Sequence, residues 1–178
     1  GITMPKFLID TDSMTISPYE DSEKESSTGE RLYNLFSAHN GEKEYEGVIA
    51  DIQKWYYGRI VKASWCATAL SFFANKVGLA LHAENVNALR VQCRQLANSG
   101  VGIYYDKDNL PDTIQKGDVL FWLWEGLTMT NSSSKHAGVC AATTKKNKGS
   151  VLCIGGNQSD KICEKYYDVS QLYAIYRV

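Results

Sequence analysis

The chain has 178 residues, 44% of them hydrophobic and 22% charged, ordinary proportions that exclude a disordered or fibrous chain and fit one domain with a core of its own. Nineteen Lys and Arg against twenty Asp and Glu leave a formal net charge of -1, so there is no broad basic field to gather nucleic acid. The longest apolar runs, such as Val119-Leu120-Phe121-Trp122-Leu123-Trp124, are far too short to cross a bilayer, and no membrane insertion is expected.

Residues 1–29 are expected to form an extended or mobile leader, because from residue 10 onward they hold Ser17-Pro18 and many Asp, Glu and Ser but few large apolar side chains. The N-terminus also lacks the basic start, apolar stretch and small-residue cleavage site of a secretory signal. A single domain is expected over residues 30–178. Ser27-Thr28-Gly29-Glu30 fits a capping box, and Leu32, Leu35 and Phe36 follow at helical spacing until Asn40-Gly41. A second helix is predicted over Glu44 to Tyr57, with Val48, Ile49, Ile52 and Trp55 or Tyr56 on one face and Gly58 closing it. Ser64 is placed to cap a third helix that starts at Trp65 or Cys66, turns Leu70, Phe73 and Val77 inward and ends at Gly78. Val86, Leu89, Cys93 and Leu96 predict a fourth, halted by Asn98-Ser99-Gly100.

The pattern then changes. Asp118–Trp124, His136–Thr143, Ser150–Ile154, Ile162–Tyr167 and Leu172–Val178 are short, rich in aromatic and β-branched residues and separated by polar or Gly-containing turns. Helices followed by an antiparallel sheet of about five strands make the expected class α+β. The aromatic residues Trp65, Trp122, Trp124, Tyr104 and Tyr105 can serve either as core or as the walls of a groove.

Five cysteines at wide, irregular spacing, with no C-x-x-C pair, fit neither a zinc ribbon nor a disulfide framework. Cys66 stands apart. A thiol in the first turn of a helix faces unpaired amides and the positive end of the helix dipole, which favour the thiolate, and the same amides can face an oxyanion. A base must come from His39, His82 or His136. His39 reads as a solvated residue at a helix end and His82 as a loop residue, whereas His136 opens a strand that would hold its ring on a rigid edge, with Gly138 allowing close approach. A polar partner must orient the imidazole. Asn157, in Ile154-Gly155-Gly156-Asn157-Gln158, is chosen for that place, although the run also reads as a turn.

The ordered set Trp65-Cys66-Ala67, Gly117-Asp118-Val119, His136-Ala137-Gly138-Val139 and Gly155-Gly156-Asn157-Gln158 resembles the cell-wall hydrolases of the NlpC and CHAP type over roughly residues 44–178. The resemblance implies a papain-like fold, cleavage of amide bonds in bacterial peptidoglycan, and no metal or organic cofactor. It assigns the nucleophile to Cys66, the general base to His136 and the polar third position to Asn157. Many CHAP domains carry Glu two residues before that Asn, where this chain has Gly155, so Asn157 or Gln158 must serve instead. Members of the family include phage endolysins, tail-associated lysins and secreted autolysins; with no secretory signal, phage-encoded release or non-classical export to the cell wall is the expectation. The same Cys-His pair would also serve an acyltransferase or transglutaminase-like enzyme, and a non-catalytic wall-binding module would use both residues only for packing.

Overall fold

In the computed structural model, which describes residues 7–10, 15–18, 26–131 and 134–178, the leader contains an antiparallel pair, Phe7–Asp10 (β1) with Thr15–Pro18 (β2). The rest of the leader before Ser26 lies outside the described residues. The Ser27 half of the predicted capping box forms: its hydroxyl accepts from the Glu30 amide at 3.1 Å and starts helix α1, Thr28–Ala38. Helix α2 covers Gly47–Tyr57 and begins three residues later than the periodicity predicts. Tyr45 and Gly47 both have positive φ, and the Glu42 carboxylate accepts from the Val48 amide at 3.0 Å, so a turn occupies the segment that would have been the first helical turn. Gly58, at φ 74°, closes α2 in the left-handed conformation. Helix α3 is Cys66–Lys76 and α4 is Val86–Asn98, the latter capped by the Asn85 side chain on the Ala88 amide.

Eight further strands follow, Ile103–Asp106 (β3), Thr113–Ile114 (β4), Val119–Leu123 (β5), Lys135–Cys140 (β6), Thr144–Lys145 (β7), Ser150–Gln158 (β8), Lys161–Asp168 (β9) and Leu172–Arg177 (β10). The main sheet has six strands in the order β3-β10-β5-β6-β8-β9, every described pairing antiparallel, and β4 pairs with β7 apart from it. The protein is thus α+β, with its helices preceding the sheet. The sixth strand is β3, a four-residue edge strand exposed at both ends; so short a run carries little alternation to read. Among the described residues no helix is long and apolar enough to cross a membrane.

The sheet is buried on both faces. Val119 and Phe121 turn toward the helices, where they meet Leu32, Phe36, Leu70 and Phe73, while Leu120 and Trp122 turn to a second cluster with Cys140, Val151 and Ile175. Burial on both sides explains why β5 reads as an unbroken apolar run. Trp65 and Trp122 are core residues, fully buried, whereas Trp124, Tyr104 and Tyr105 are only partly so. Val77 caps α3 from a half-buried position, and Trp55 is exposed on the outer side of α2.

Two glycine contacts dock the helices. A Cβ on Gly117, which has φ 96°, would lie 2.6 Å from the Glu30 amide nitrogen, so β5 begins directly against the start of α1. Beside it, the Asp118 carboxylate is paired with the Arg177 guanidinium through two bonds of 2.9 and 2.8 Å, which ties the start of β5 to the end of its neighbour β10. A Cβ on Gly156 would lie 2.6 Å from the Trp65 ring. The indole sits one residue before Cys66 and is anchored by its Nε1 on Glu44 at 3.3 Å, so this contact sets how closely the start of α3 approaches β8. Gly156→Ala is expected to lower stability by about 1–3 kcal/mol, the usual cost of overpacking a rigid core. A urea titration that gives the variant the wild-type midpoint would rule out the tight contact.

Candidate active site

Helix α3 starts without a side-chain cap. Its N-cap is Trp65, and Ser64, expected as the cap, instead places its hydroxyl 3.9 Å from the Cys66 thiol. The first-turn amides therefore keep their donors free of any capping side chain, immediately beside the sulfur. Cys66 is 4% exposed and His136 7% exposed, so thiol and imidazole are close to dry while still reaching the surface.

The structure brings Cys66 and His136 together. The thiol hydrogen-bonds with the His136 ring, and the Ala137 backbone N–H donates to the sulfur. The register of β6 with β8 covers only Val139–Ile154 and Cys140–Cys153, so Ala137 lies beyond that ladder, and next to it β8 carries one extra residue between Gly155, which pairs with Cys163, and Gln158, which pairs with Lys161.

The same bulge decides the partner of His136. A Cβ on Gly155 would lie 3.1 Å from His136 Nε2, so residue 155 shares the imidazole's face. Regular alternation would return Asn157 to that face. Asn157 instead takes φ 59°, and its amide donates to Ser64 at 3.1 Å. Gln158 turns inward in its place, with Oε1 2.7 Å from His136 Nε2. The assignment of the imidazole's polar partner is corrected accordingly: Gln158 holds the ring, and Asn157 lies on the nucleophile's side of the site.

The orientation of Gln158 follows from its own bonds. It is 2% exposed, and its Nε2 donates to the carbonyls of Cys153 and Cys163. Two carbonyls can only accept, so the amide nitrogen must face them and the amide oxygen must face the histidine. An amide oxygen also only accepts, so His136 Nε2 carries a proton and Nδ1 is left as the basic nitrogen. The space that a side chain at Gly155 would fill is taken by this pair, Oε1 of Gln158 also lying 3.1 Å from that Cβ position. Tyr167 covers the ring, with centroids 5.6 Å apart, and itself stacks on Trp122 and Trp124.

Electrostatics favour the ion pair. Burial is the largest influence on Cys66 and disfavours the thiolate, but the hydrogen bond and charge of His136, the Ala137 amide and the Ser64 hydroxyl outweigh it, and the thiol falls below its ordinary range. Burial likewise opposes the imidazolium, yet contacts with Cys153 and Cys66 push His136 up to about 10. Cys153 therefore touches the ring as well, but it is fully buried within β8 and has no helix start behind it. Cys66 is the thiol with both exposure and anion-stabilising amides. All five cysteines are free thiols.

The other histidines lie elsewhere. His39 hydrogen-bonds with Glu42 and stacks on Phe73 at the end of α1, and His82 stacks on Tyr56 at 4.2 Å. Among the described residues no three His, Cys, Asp or Glu side chains converge as metal ligands. Tyr167 carries no motif signal of its own in the sequence, Ser64 shows there only as a helix cap, and Ala137 only as a member of the histidine motif. Gln158 carries one, as the last residue of Gly-Gly-Asn-Gln, but only the bulge selects it over Asn157. No protein-family model and no curated protein matches the chain.

Alkylation by iodoacetamide tests the pair. In the wild type, the Cys66 rate should rise with a midpoint below that of an ordinary thiol and stay level as pH increases toward about 10, because a lowered cysteine and a raised histidine are both charged across that window. In His136→Ala burial is left with less opposition, so the midpoint should move up; an unchanged midpoint would disprove the coupling. At neutral pH, Gln158→Ala should slow the labelling of Cys66 about tenfold or more, because the tautomer is no longer held, while Asn157→Ala should change it less than about threefold. The reverse order would return the orienting role to Asn157.

Proposed function

We propose that the chain is a cysteine amidase or peptidase of the NlpC and CHAP type that cleaves amide bonds in bacterial peptidoglycan. The observation that carries this reading is the Cys66 thiol at the uncapped start of α3, bonded to an imidazole whose far nitrogen is held by Gln158. Nucleophilic catalysis needs this sequence of parts: an activated thiolate, a base with a defined tautomer, and donors aimed at the oxyanion. The helix-then-sheet order agrees with the papain-like fold that the motif resemblance implies.

In the proposed reaction the Cys66 thiolate attacks the amide carbonyl, and negative charge moves to the carbonyl oxygen. The Cys66 amide and its neighbours in the first turn of α3 stabilise that charge. The imidazolium of His136 then protonates the departing amine through Nδ1, leaving a thioester on Cys66. Neutral Nδ1 next takes a proton from water, which hydrolyses the thioester and regenerates the pair. Gln158 is unchanged throughout, and its role is to keep Nε2 protonated. The cell wall is the site of action on this reading.

Purified peptidoglycan should lose turbidity with the wild type, and Cys66→Ala should reduce the rate by at least about 10³-fold. Mass spectrometry of the fragments then identifies the bond, whether between muramic acid and the first alanine or within the stem or cross-bridge. Equal lysis by wild type and Cys66→Ala would refute the assignment. Fragments joined to an added amine, in place of hydrolysed ends, would move the protein to the acyltransferases.

A further inference from the structure

Cys140 and Cys153 stand directly opposite each other in the pairing of β6 with β8. One step along, the Ala141 amide donates to the Leu152 carbonyl at 2.8 Å, whereas the Cys140 amide turns the other way and donates to the Asp118 carbonyl at 2.8 Å. Cys140 and Cys153 therefore form the non-hydrogen-bonded kind of antiparallel pair, in which Cα atoms stand about 4.5 Å apart and side chains come closest. That separation falls within the roughly 4.4–6.8 Å that a disulfide spans.

Both side chains join the cluster on the sheet face away from the helices, with Leu120, Trp122 and Ile175. Each thiol donates only to a nearby carbonyl, Cys140 Sγ to Ala142 at 3.2 Å and Cys153 Sγ to Ile154 at 3.7 Å. A thiol is a weak donor, so turning one sulfur toward the other gives up little. The ladder that holds the pair is short, Val139 with Ile154 and Cys140 with Cys153. Its local opening admits a small oxidant to two side chains that are otherwise fully buried.

Cys153 also reaches the base. Gly138 lies between His136 and Cys140 on one face of β6, and a Cβ there would overlap the Cys153 sulfur. The missing side chain thus seats the sulfur where it bonds the His136 ring on one side and has Cys140 on the other. None of the steps assigned to Cys66, His136 and Gln158 uses it.

We propose that Cys140 and Cys153 are a redox-active dithiol, and that their oxidation to a disulfide by a peroxide withdraws Cys153 from His136. Burial pushes the Cys140 thiol up to about 12, so Cys153, with the charged imidazole beside it, meets the oxidant first. Its sulfur attacks one peroxide oxygen; the S–O bond forms as the O–O bond breaks, and the thiol proton leaves with the second oxygen as water. The Cys140 sulfur then attacks the sulfenic acid; the S–S bond forms, the S–O bond breaks, and a second water carries off the Cys140 proton. The two electrons that the thiols lose reduce the peroxide. This switch acts on the base whatever bond Cys66 cleaves.

The native chain is first treated with iodoacetamide, which blocks Cys66 and the partly exposed Cys163, and then with hydrogen peroxide. After denaturation the remaining thiols are capped with N-ethylmaleimide and the peptides are mapped by mass spectrometry. Cys140 and Cys153 should appear in one disulfide-linked peptide pair, while Cys93, buried on α4, takes maleimide; dithiothreitol should restore both thiols. In the NMR spectrum the His136 ring signal should move on oxidation and return with dithiothreitol, while those of His39 and His82 stay in place. In Cys153→Ala, peroxide should leave the His136 signal where it is; should that variant not fold, the return of the wild-type signal with dithiothreitol decides. Maleimide on both Cys140 and Cys153 after the peroxide has oxidised glutathione in the same tube would overturn the proposal. So would links that include Cys93 as often, or a linked pair with the His136 signal unmoved.

Discussion

The contact between the Trp65 indole and the backbone of Gly156 governs the distance between the helix that carries Cys66 and the sheet that carries His136. A thiol and an imidazole that are to act as a pair must approach closely, yet here they reside on different layers, about 70 residues apart in sequence. Layers normally stand off by the thickness of their side chains. A residue without a side chain at 156 lets the indole rest on β8 itself, and the next residue along, Cys66, is thereby brought beside β6. Glu44 ties the indole from the other side, so the docking also couples the turn before α2 to the site.

Three irregularities at the site then act together. An uncapped helix start leaves amides free near the sulfur; a bulge in β8 turns Gln158 inward to the imidazole; a left-handed residue at Asn157 accompanies that bulge. Each would be a local defect in an isolated helix or strand. Asn tolerates the left-handed region better than most residues because its short amide can bond locally, and here it bonds Ser64, which in turn faces the thiol. The pair Asp118–Arg177 lies at the opposite end of β5 from the histidine's partner Trp122, so it ties β5 to β10 away from the candidate site.

Much was legible in the chain because it depends on local periodicity. The four helices, the cap at Ser27 and the left-handed stop at Gly58 follow from residue type and spacing, and five of the six strands of the main sheet show as β-branched and aromatic runs. The exceptions have local causes. The second helix starts late because Glu42 reaches six residues forward to cap it, a contact that competes with an otherwise good helical pattern. The edge strand Ile103–Asp106 is too short and too exposed to show alternation.

Residue patterning alone was enough to order the chain as helices first and antiparallel sheet second, and to single out Cys66 and His136, since the dipole of a helix start and the rigidity of a strand start can be read within a few residues of each. Which amide holds the imidazole is a property of the assembled fold. Asn157 and Gln158 are adjacent and chemically alike, and the choice between them depends on one extra residue in the pairing of β8 with β9, a long-range register that no short window records. The fate of Ser64 was settled in the same way: its position before a helix predicts a cap, but the bond it receives comes from Asn157, 93 residues away, which the fold brings to the same side of the thiol.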